Sequence, residues 1–531
     1  MLVRINNIRV GLSNAHSLEE IIAHKLRVAP QHLKNIKILR RAVDARRKNN
    51  VCLVYHVLLE LAESSSKIAD LLNRQEILPW QESQEEPVVF GSESLADRPV
   101  VIGLGPAGLM AALELAKNGY KPLVLERGKA LKDRVKDVEA FWTKGEFNPA
   151  SNVQFGAGGA GTFSDGKLTT RVNDHAMAYI LKTFVEAGAP EDILYEQKPH
   201  VGTDKLRAMV EGLIKAIVAQ GGEVRYETQV VDFLLQNNAL VGVKTSQGDT
   251  IATNAVILAC GHSARDTYAM LAAKQVAIEA KPFAIGVRIE HEQELINKAQ
   301  YGAFAHHPQL GAADYGLVCH VKETGRTAYS FCMCPGGKIV ASASEEGGVV
   351  TNGMSLYARD SGLANSALLV NVGPEDFTGG PLGGIELQRR YERLAFAAAG
   401  SSYYAPAQNS QSFMAGSTPS LAVSFTPSYQ PGLTAVNLEK VLPSYVIATL
   451  RGGLQDFGRR LPGFATEGLL VGVETRSSAP LRIMRKANGE ALNNSGLYPT
   501  GEGAGYAGGI MSAALDGYHQ ARHLMARFKG V

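Results

Sequence analysis

The chain has 531 residues, 45% hydrophobic and 20% charged, with a net charge of +3. That is room for two or three domains of roughly 100–200 residues, with an ordinary soluble globular balance in which global charge steers no partner strongly. Five thinly spread cysteines argue against a disulfide framework. The opening MLVRINNIRV lacks the apolar core of a secretory signal, and the longest apolar run, 99–117, is broken by two prolines, three glycines and Glu114, so a reducing cytoplasm and no membrane span are expected.

Residues 1–74 read as a small α+β domain. Ser17-x-x-Glu20 is a capping box and predicts a helix over 18–27. Residues 50–61 contain the β-rich run VCLVYHVLLEL. Between them, residues 34–48 hold seven Lys/Arg and one Asp. Such a run is either a solvated face or a contact for nucleic acid or an acidic protein. Residues 75–97 carry six acids and no Lys/Arg, with Pro79, Pro87 and several serines, and read as a linker.

The stretch 99–126, PVVIGLGPAGLMAALELAKNGYKPLVLE, is a complete βαβ unit. An apolar strand, Val100 to Ile102, runs into Gly103-x-Gly105-x-x-Gly108. An Ala/Leu-rich helix follows, then a second strand ending in Glu126. Gly103 permits the tight turn, Gly105 lets a pyrophosphate approach the backbone, and Gly108 lets helix and strand pack closely. The helix N-terminus offers free N–H groups to the phosphates. Glu126 can accept from a ribose 2′-OH. The motif leaves NAD and FAD both open.

SNVQFGAGGAGTFSDGKLTTR, 151–171, contains a second G-x-G-x-x-G at Gly156, Gly158 and Gly161. No strand precedes it and no packed helix follows, so it reads as a backbone nest against a ligand. Residues 223–259 read as five strands, EVRYE, QVVDFLL, LVGVKT, DTIAT and AVILA, with a turn at Asn237-Asn238. Gly261, after AVILA, suits a turn beneath a bound nucleotide. Residues 265–465 form a large insert. A short strand, Gly501-Glu502, and an apolar-periodic helix from about Gly509 complete the chain.

In this order the pieces resemble flavoproteins of the glutathione-reductase-like FAD superfamily. More closely, NVQFGAGGAGTFSDGKL, GHSARDTY, FCMCPGG, GVETRSSAP and YPTGEGAGYAGGI resemble a bacterial FAD-dependent dehydrogenase family across nearly the whole chain. The resemblance implies an α/β architecture. A discontinuous Rossmann-like FAD-binding domain (98–264 and 466–531) would carry an inserted α+β substrate domain (265–465) beside the N-terminal α+β domain. It also implies FAD as cofactor and an oxidoreductase acting on a small molecule. Gly103, Gly105, Pro106, Ala107 and Gly108 would cradle the pyrophosphate, and Glu126 the adenosine ribose. Arg127 and Arg134 would contact phosphate or adenine, or else be surface residues. The Val230 backbone would read the adenine edge. Gly158, Gly159, Ala160, Gly161 and Thr162 would line the flavin. Gly501 and Glu502 would meet the ribityl chain, and Gly508, Gly509 and Ile510 the flavin's N1–C2=O edge. Where the family usually carries an acid in the second glycine loop, this chain has Ala157.

The second GxGxxG domain and the CxxC pair of pyridine-nucleotide disulfide reductases are not evident. The insert looks closer to fumarate-reductase-type or amine-oxidase-type flavoenzymes. Lys167, just after the second glycine loop, is the candidate to meet the flavin. Arg288 and Arg476 could clamp a carboxylate-bearing substrate by bidentate contacts. The competing reading is structural ion pairs, Arg288 with Glu290 and Arg476 with Glu474. Arg265, His291 and Arg482 also sit where loops should face another domain. Cys332-x-Cys334 would put two thiols on one face of a strand. With no neighbouring cation before Lys338, burial would raise their pKa values and leave them inert. No metal is expected. Two further readings stay open: an RNA-associated flavoprotein recruited through its basic N-terminal domain, and a protein that binds FAD without turnover.

Overall fold

In the computed structural model, which describes residues 1–13, 16–80 and 86–530, three main sheets divide the chain. The first is antiparallel, with Leu33–Asp44, Cys52–Leu61, Leu2–Gly11 and Leu78–Pro79 side by side in that order. Val3, Ile5, Val57, Leu59 and Leu61, alternate residues on their strands, are buried with Ile22 and Leu26 of the helix Leu18–Leu26. Ser17 and Glu20 close the expected capping box. The basic run lies mostly on Leu33–Asp44. Its Arg41 pairs with Glu196 at 2.5 Å, and its Arg46 with Asp44 at 2.7 Å. Leu12, Val51 and Leu53 of this unit are buried in the core of the third sheet.

The second sheet is parallel. Leu497–Pro499, Val256–Leu258, Val100–Ile102, Leu123–Leu125 and Glu223–Arg225 lie in that order. Val101, Val124, Ile257 and Tyr498 face a helical layer made of Pro106–Lys117, Thr203–Ala219 and Ile510–Arg527. Val100, Ile102, Leu123, Leu125, Val256 and Leu258 face the antiparallel meander Val230–Gln236, Ala239–Thr245, Thr250–Ala252. Covered on both faces, these strands read as short apolar runs rather than as alternation. Asn237 and Asn238, both with positive φ, turn the meander's hairpin. Of the five strands expected over 223–259, the first and last join the parallel sheet and the middle three form the meander. The last helix approaches the first through Gly517, where a Cβ would stand 2.1 Å from the Ala107 carbonyl oxygen.

The third sheet has seven strands: Val318–Val321, Arg326–Cys334, Leu363–Val372, Phe283–Glu292, Leu469–Glu474, Ala405–Asn409 and Leu433–Ala435. Neighbours are antiparallel except the last two. It departs from the expected 265–465 at both ends. The helix Arg265–Ala273 packs through Tyr268 and Leu271 into the meander's core. Leu469–Glu474, past residue 465, pairs with Phe283–Glu292. A two-stranded ribbon, Ile278–Ala280 against Leu481–Ile483, joins the halves.

Of the predicted linker, residues 81–85 lie outside the described residues, and 86–97 are docked on the last helix. Gly91 N–H donates to the Met525 carbonyl (2.8 Å), and Arg527 pairs with Glu93 (2.9 Å). Among the described residues no helix is long and apolar enough to cross a membrane.

A Cβ on Gly91 would stand 2.0 Å from the Arg527 carbonyl oxygen, on backbone that cannot yield. Gly91→Val is therefore expected to cost about 1–3 kcal/mol and to lower the thermal midpoint. An unchanged midpoint would show that 86–97 is not part of the packed structure.

Candidate functional site

The carboxyl ends of the parallel strands open into a cleft of about 370 Å³ whose other wall comes from the third sheet. Ile102, Leu125, Leu258 and Thr500 mark the strand ends in its lining, the usual place for a ligand crevice in an open α/β sheet. Two glycine loops form one side. Gly103 turns at φ +97°, and a Cβ there would stand 2.4 Å from the Ala259 carbonyl oxygen. A Cβ on Gly159 would stand 2.9 Å from the Gly105 Cα. At Gly105 itself the nearest atom to an added Cβ is 3.8 Å away, and at Gly261, Gly508 and Gly509 there is none within 4 Å. The wall is thus bare backbone facing space. The helices Pro106–Lys117 and Ile510–Arg527 start from Gly105 and Gly509, which give no side-chain cap. Their free N–H groups and positive dipole ends meet at the cleft, an arrangement suited to phosphate.

Glu126 ties the loops together. One carboxylate oxygen accepts from Leu104 N–H, the other from Gly128 and Gly156 N–H, all at 2.9 Å. It still borders the cleft, beside Arg127. The Arg127 guanidinium lies 4.4 Å over the Phe155 ring and bonds Asp266 through two nitrogens at 2.9 and 3.0 Å. Pro106, Ala107, Gly159, Ala160, Gly161, Val230, Gly261, Glu502 and Ile510 also line the cleft.

Six expected residues stand behind the lining. Arg134 is neither a ligand contact nor a surface residue. It is fully buried, and its guanidinium donates to the carbonyls of Asn152, Val153, Gly156 and Ala157 at 2.6–3.3 Å, bracing the second glycine loop from behind. Gly158 packs against Thr162, whose Oγ1 a Cβ would approach to 2.1 Å, and the Thr162 hydroxyl faces the Ala157 carbonyl at 3.4 Å. Gly108 is fixed by its own turn, since a Cβ would stand 1.9 Å from the Gly103 carbonyl oxygen. Gly501 N–H donates to Asp516 at 2.7 Å. Arg288, the sixth, lies behind Glu474.

At the far end, Lys167, Phe331, Cys332, Asn352, Glu474 and Arg476 line the cleft. Neither expected arginine clamp is free. Arg288 Nη1 bonds both Glu474 oxygens at 3.0 and 3.1 Å, and Asn352 at 3.2 Å. Arg476 bonds Glu392 at 2.9 and 3.0 Å and also bonds Ser344. Glu392 holds Arg265 as well, at 2.8 and 2.9 Å. The ion-pair reading is the right one, but the partners come from distant strands and helices rather than from Glu290 beside Arg288 or Glu474 beside Arg476. His291 is buried elsewhere, bonded to the Phe464 carbonyl at 2.8 Å. Lys167 Nζ is only 3.9 Å-paired to Asp165, whose carboxylate is fully engaged by Arg359 at 2.6 and 3.0 Å.

These surroundings set unusual proton affinities. Burial would raise Glu392, yet the Arg265 and Arg476 guanidiniums hold it well below the usual carboxylate range. Burial pushes Glu474 up to about 7 against the pull of Arg288, and it pushes Glu502 to about 7 as well. Burial, with Arg476 and Arg265 nearby, pushes His262 down to about 3. The thiols depart from expectation. A hydrogen bond from the Cys334 thiol, and then the Lys167 and Arg288 charges, outweigh burial and pull Cys332 down to about 6. Cys334, the donor, is pushed up. Sequence reading did not place Asn352 or Glu474 in the cleft lining, since no local motif marks them.

A family model described as pyridine nucleotide-disulphide oxidoreductase matches residues 97–298, and one described as FAD-dependent protein, C-terminal domain-like, matches 282–477. A domain of unknown function matches 2–60. An "uncharacterized protein" of Clostridium beijerinckii is 46% identical over 532 residues, covering 99% of each chain. Among solved structures, L-proline dehydrogenase from P. horikoshii is 14% identical with a TM-score of 0.38, over 82% of this chain and 94% of that one. Glycine oxidase from Bacillus cereus is 13% identical with a TM-score of 0.33, over 80% and 94%.

Two substitutions test the buried charges. Glu126→Gln turns an amide N–H₂ onto backbone donors, so it should cost about 1–3 kcal/mol and release bound cofactor more readily on dilution. Glu392→Gln leaves two buried guanidiniums short of charge and should cost about 3–5 kcal/mol at neutral pH. The sign with pH follows from the lowered carboxyl. Its stabilisation is present above its unfolded value of 4.5 and is lost as pH falls below it. The loss of thermal midpoint on acidification should therefore be shallower in Glu392→Gln than in the parent. Equal midpoints at neutral pH would refute the role given to this cluster.

Proposed function

Because the chain belongs to the family of its full-length Clostridium relative, an FAD-dependent oxidoreductase family, we propose that it dehydrogenates a small organic substrate held at the Lys167–Glu474 end of the cleft and passes the electrons to a second partner. FAD is the cofactor, and when bound it supplies the two-electron chemistry. One observation carries the reading: a single cleft runs from a bare glycine cradle at two helix N-termini to a polar end supplied by the third sheet.

The roles divide accordingly. Gly103, Gly105, Pro106 and Ala107 take the pyrophosphate. Glu126, Arg127 and the Val230 backbone take the adenosine, and Glu502 a ribityl hydroxyl. Gly159 to Gly161 and Gly508 to Ile510 border the flavin. Lys167, loosely paired, meets negative charge on substrate or flavin. Arg288 and Arg476 position Glu474 and the cleft wall instead of clamping a substrate carboxylate, so Asn352 and Glu474 favour a neutral hydrogen-bonding group. We read 282–477 as the substrate half, and 98–281 with 478–531 as the FAD half.

The purified protein should be yellow and release FAD on denaturation. Gly105→Val should lose it, because its side chain enters the open pyrophosphate path. Lys167→Met should keep FAD but slow anaerobic flavin reduction by the substrate on the order of 100-fold. NADH or NADPH alone should reduce the flavin slowly, since the described residues contain one parallel nucleotide sheet. Rapid bleaching by micromolar NADPH would overturn that last point. If dithionite reduces the flavin while no class of organic substrate does, the binding-only reading gains.

A further inference from the structure

The two thiols at the polar end take no part in the roles above. Cys332 lines the cleft, and Cys334 is buried behind it. Both lie on Arg326–Cys334, whose pairing with Leu363–Val372 slips between Phe331 and Cys334. At the slip Cys332 takes a φ of +44°. Side chains other than glycine seldom adopt that conformation, and where it persists its surroundings enforce it, often at functional sites. The enforcement is visible. Arg288 Nη2 donates to the Cys332 carbonyl at 2.7 Å and reaches Cys334 Sγ at 3.8 Å. The Cys334 thiol donates to the Cys332 carbonyl oxygen at 3.4 Å. The bulge and Arg288 thus hold the two cysteines as one unit at the cleft wall.

The charges around Cys332 favour a thiolate. Lys167 and Arg288 are the cations. The acids nearby are largely engaged elsewhere, Asp165 by Arg359 and Glu474 by Arg288. The third, Glu502, has its carboxyl pushed by burial to about 7, so it is partly neutral. A cysteine at a cleft wall beside two cations, with a second thiol two residues on held by the same arginine, is the arrangement of a reactive pair rather than of two inert core residues.

We propose that Cys332 and Cys334 form a reversible dithiol–disulfide couple that exchanges two electrons with the FAD held in the same cleft. The couple rests on the FAD reading above and adds thiol chemistry to it. Starting from the Cys332 thiolate and the Cys334 thiol, formation of the Sγ–Sγ bond breaks the Cys334 S–H bond. Two electrons and that proton pass to oxidised FAD, which is the oxidant. In reverse, reduced FAD returns the electron pair and the proton, Cys332 leaves as a thiolate beside Lys167, and Cys334 recovers its hydrogen. The one-residue spacer constrains the disulfide, which keeps it easily reduced.

The test is an anaerobic dithionite titration of the FAD-loaded protein together with thiol mapping. The parent should take up about four electrons per FAD, and Cys332→Ser and Cys334→Ser about two each, because the dithiol couple holds two. In parallel, N-ethylmaleimide labelling of the denatured parent, read by peptide mass, should leave the 332–334 peptide unlabelled after oxidation and doubly labelled after reduction. This second readout needs no variant to fold. Uptake of about two electrons by the FAD-loaded parent, with the peptide doubly labelled in both states, overturns the couple and leaves the FAD reading intact. A parent that holds no FAD overturns both.

Discussion

A glycine loop has no side chains with which to hold itself, and two such loops meet at this cleft. What fixes them is a pair of buried charges pointing in from behind. Glu126 accepts from three backbone amides drawn from both loops and the strand end, and Arg134 donates to four carbonyls of the second. Hydrogen bonds to charged groups in a low-dielectric interior are the strong ones. They allow the ligand-facing side to remain bare backbone while the far side is rigid. The same economy governs the helix packing, where Gly517 lets the last helix meet the first at Ala107 and so brings two helix N-termini to one place.

The two halves of the molecule are joined by charge as much as by apolar packing. Arg265 comes from the helix Arg265–Ala273 packed on the meander, Glu345 and Glu392 from the chain between strands of the third sheet, and Arg476 from just past Leu469–Glu474; all four converge. Buried ion clusters of this kind add little stability compared with a well-packed apolar replacement, but losing one member is costly. Their geometric effect is to lock the cleft's polar end against its nucleotide end. Arg288 extends the lock by holding Glu474, Asn352 and the Cys332 backbone at once, so the cleft's polar wall and the two cysteines share one anchor.

The N-terminal unit is less independent than its composition suggests. Its strand residue Arg41 bonds Glu196, its Leu12, Val51 and Leu53 enter the third sheet's core, and the acidic segment that follows binds the last helix through backbone groups. Prolines, serines and like charges mark a segment without regular secondary structure. They do not say whether it is free or docked, because docking here relies largely on main-chain hydrogen bonds, which composition does not encode.

By itself the sequence determined what local chemistry controls: the strand–glycine–helix unit, the capping box at Ser17, the Asn237-Asn238 turn, the cofactor class carried by long motifs, and the glycines that must turn or lie open. Those features depend on a residue's own backbone freedom or on neighbours within a few positions. Only the tertiary structure decided the rest. Arg134 became a brace instead of a ligand contact, Arg288 and Arg476 found Glu474 and Glu392 rather than the acids beside them, and of the five strands over 223–259 EVRYE and AVILA joined the parallel sheet while the three between them formed the meander. Most sharply, Cys332 has no cation near it along the chain, yet Lys167 and Arg288 arrive from 165 and 44 positions away. Electrostatics acts through space, and proximity in space is set by strand pairing that no short motif records.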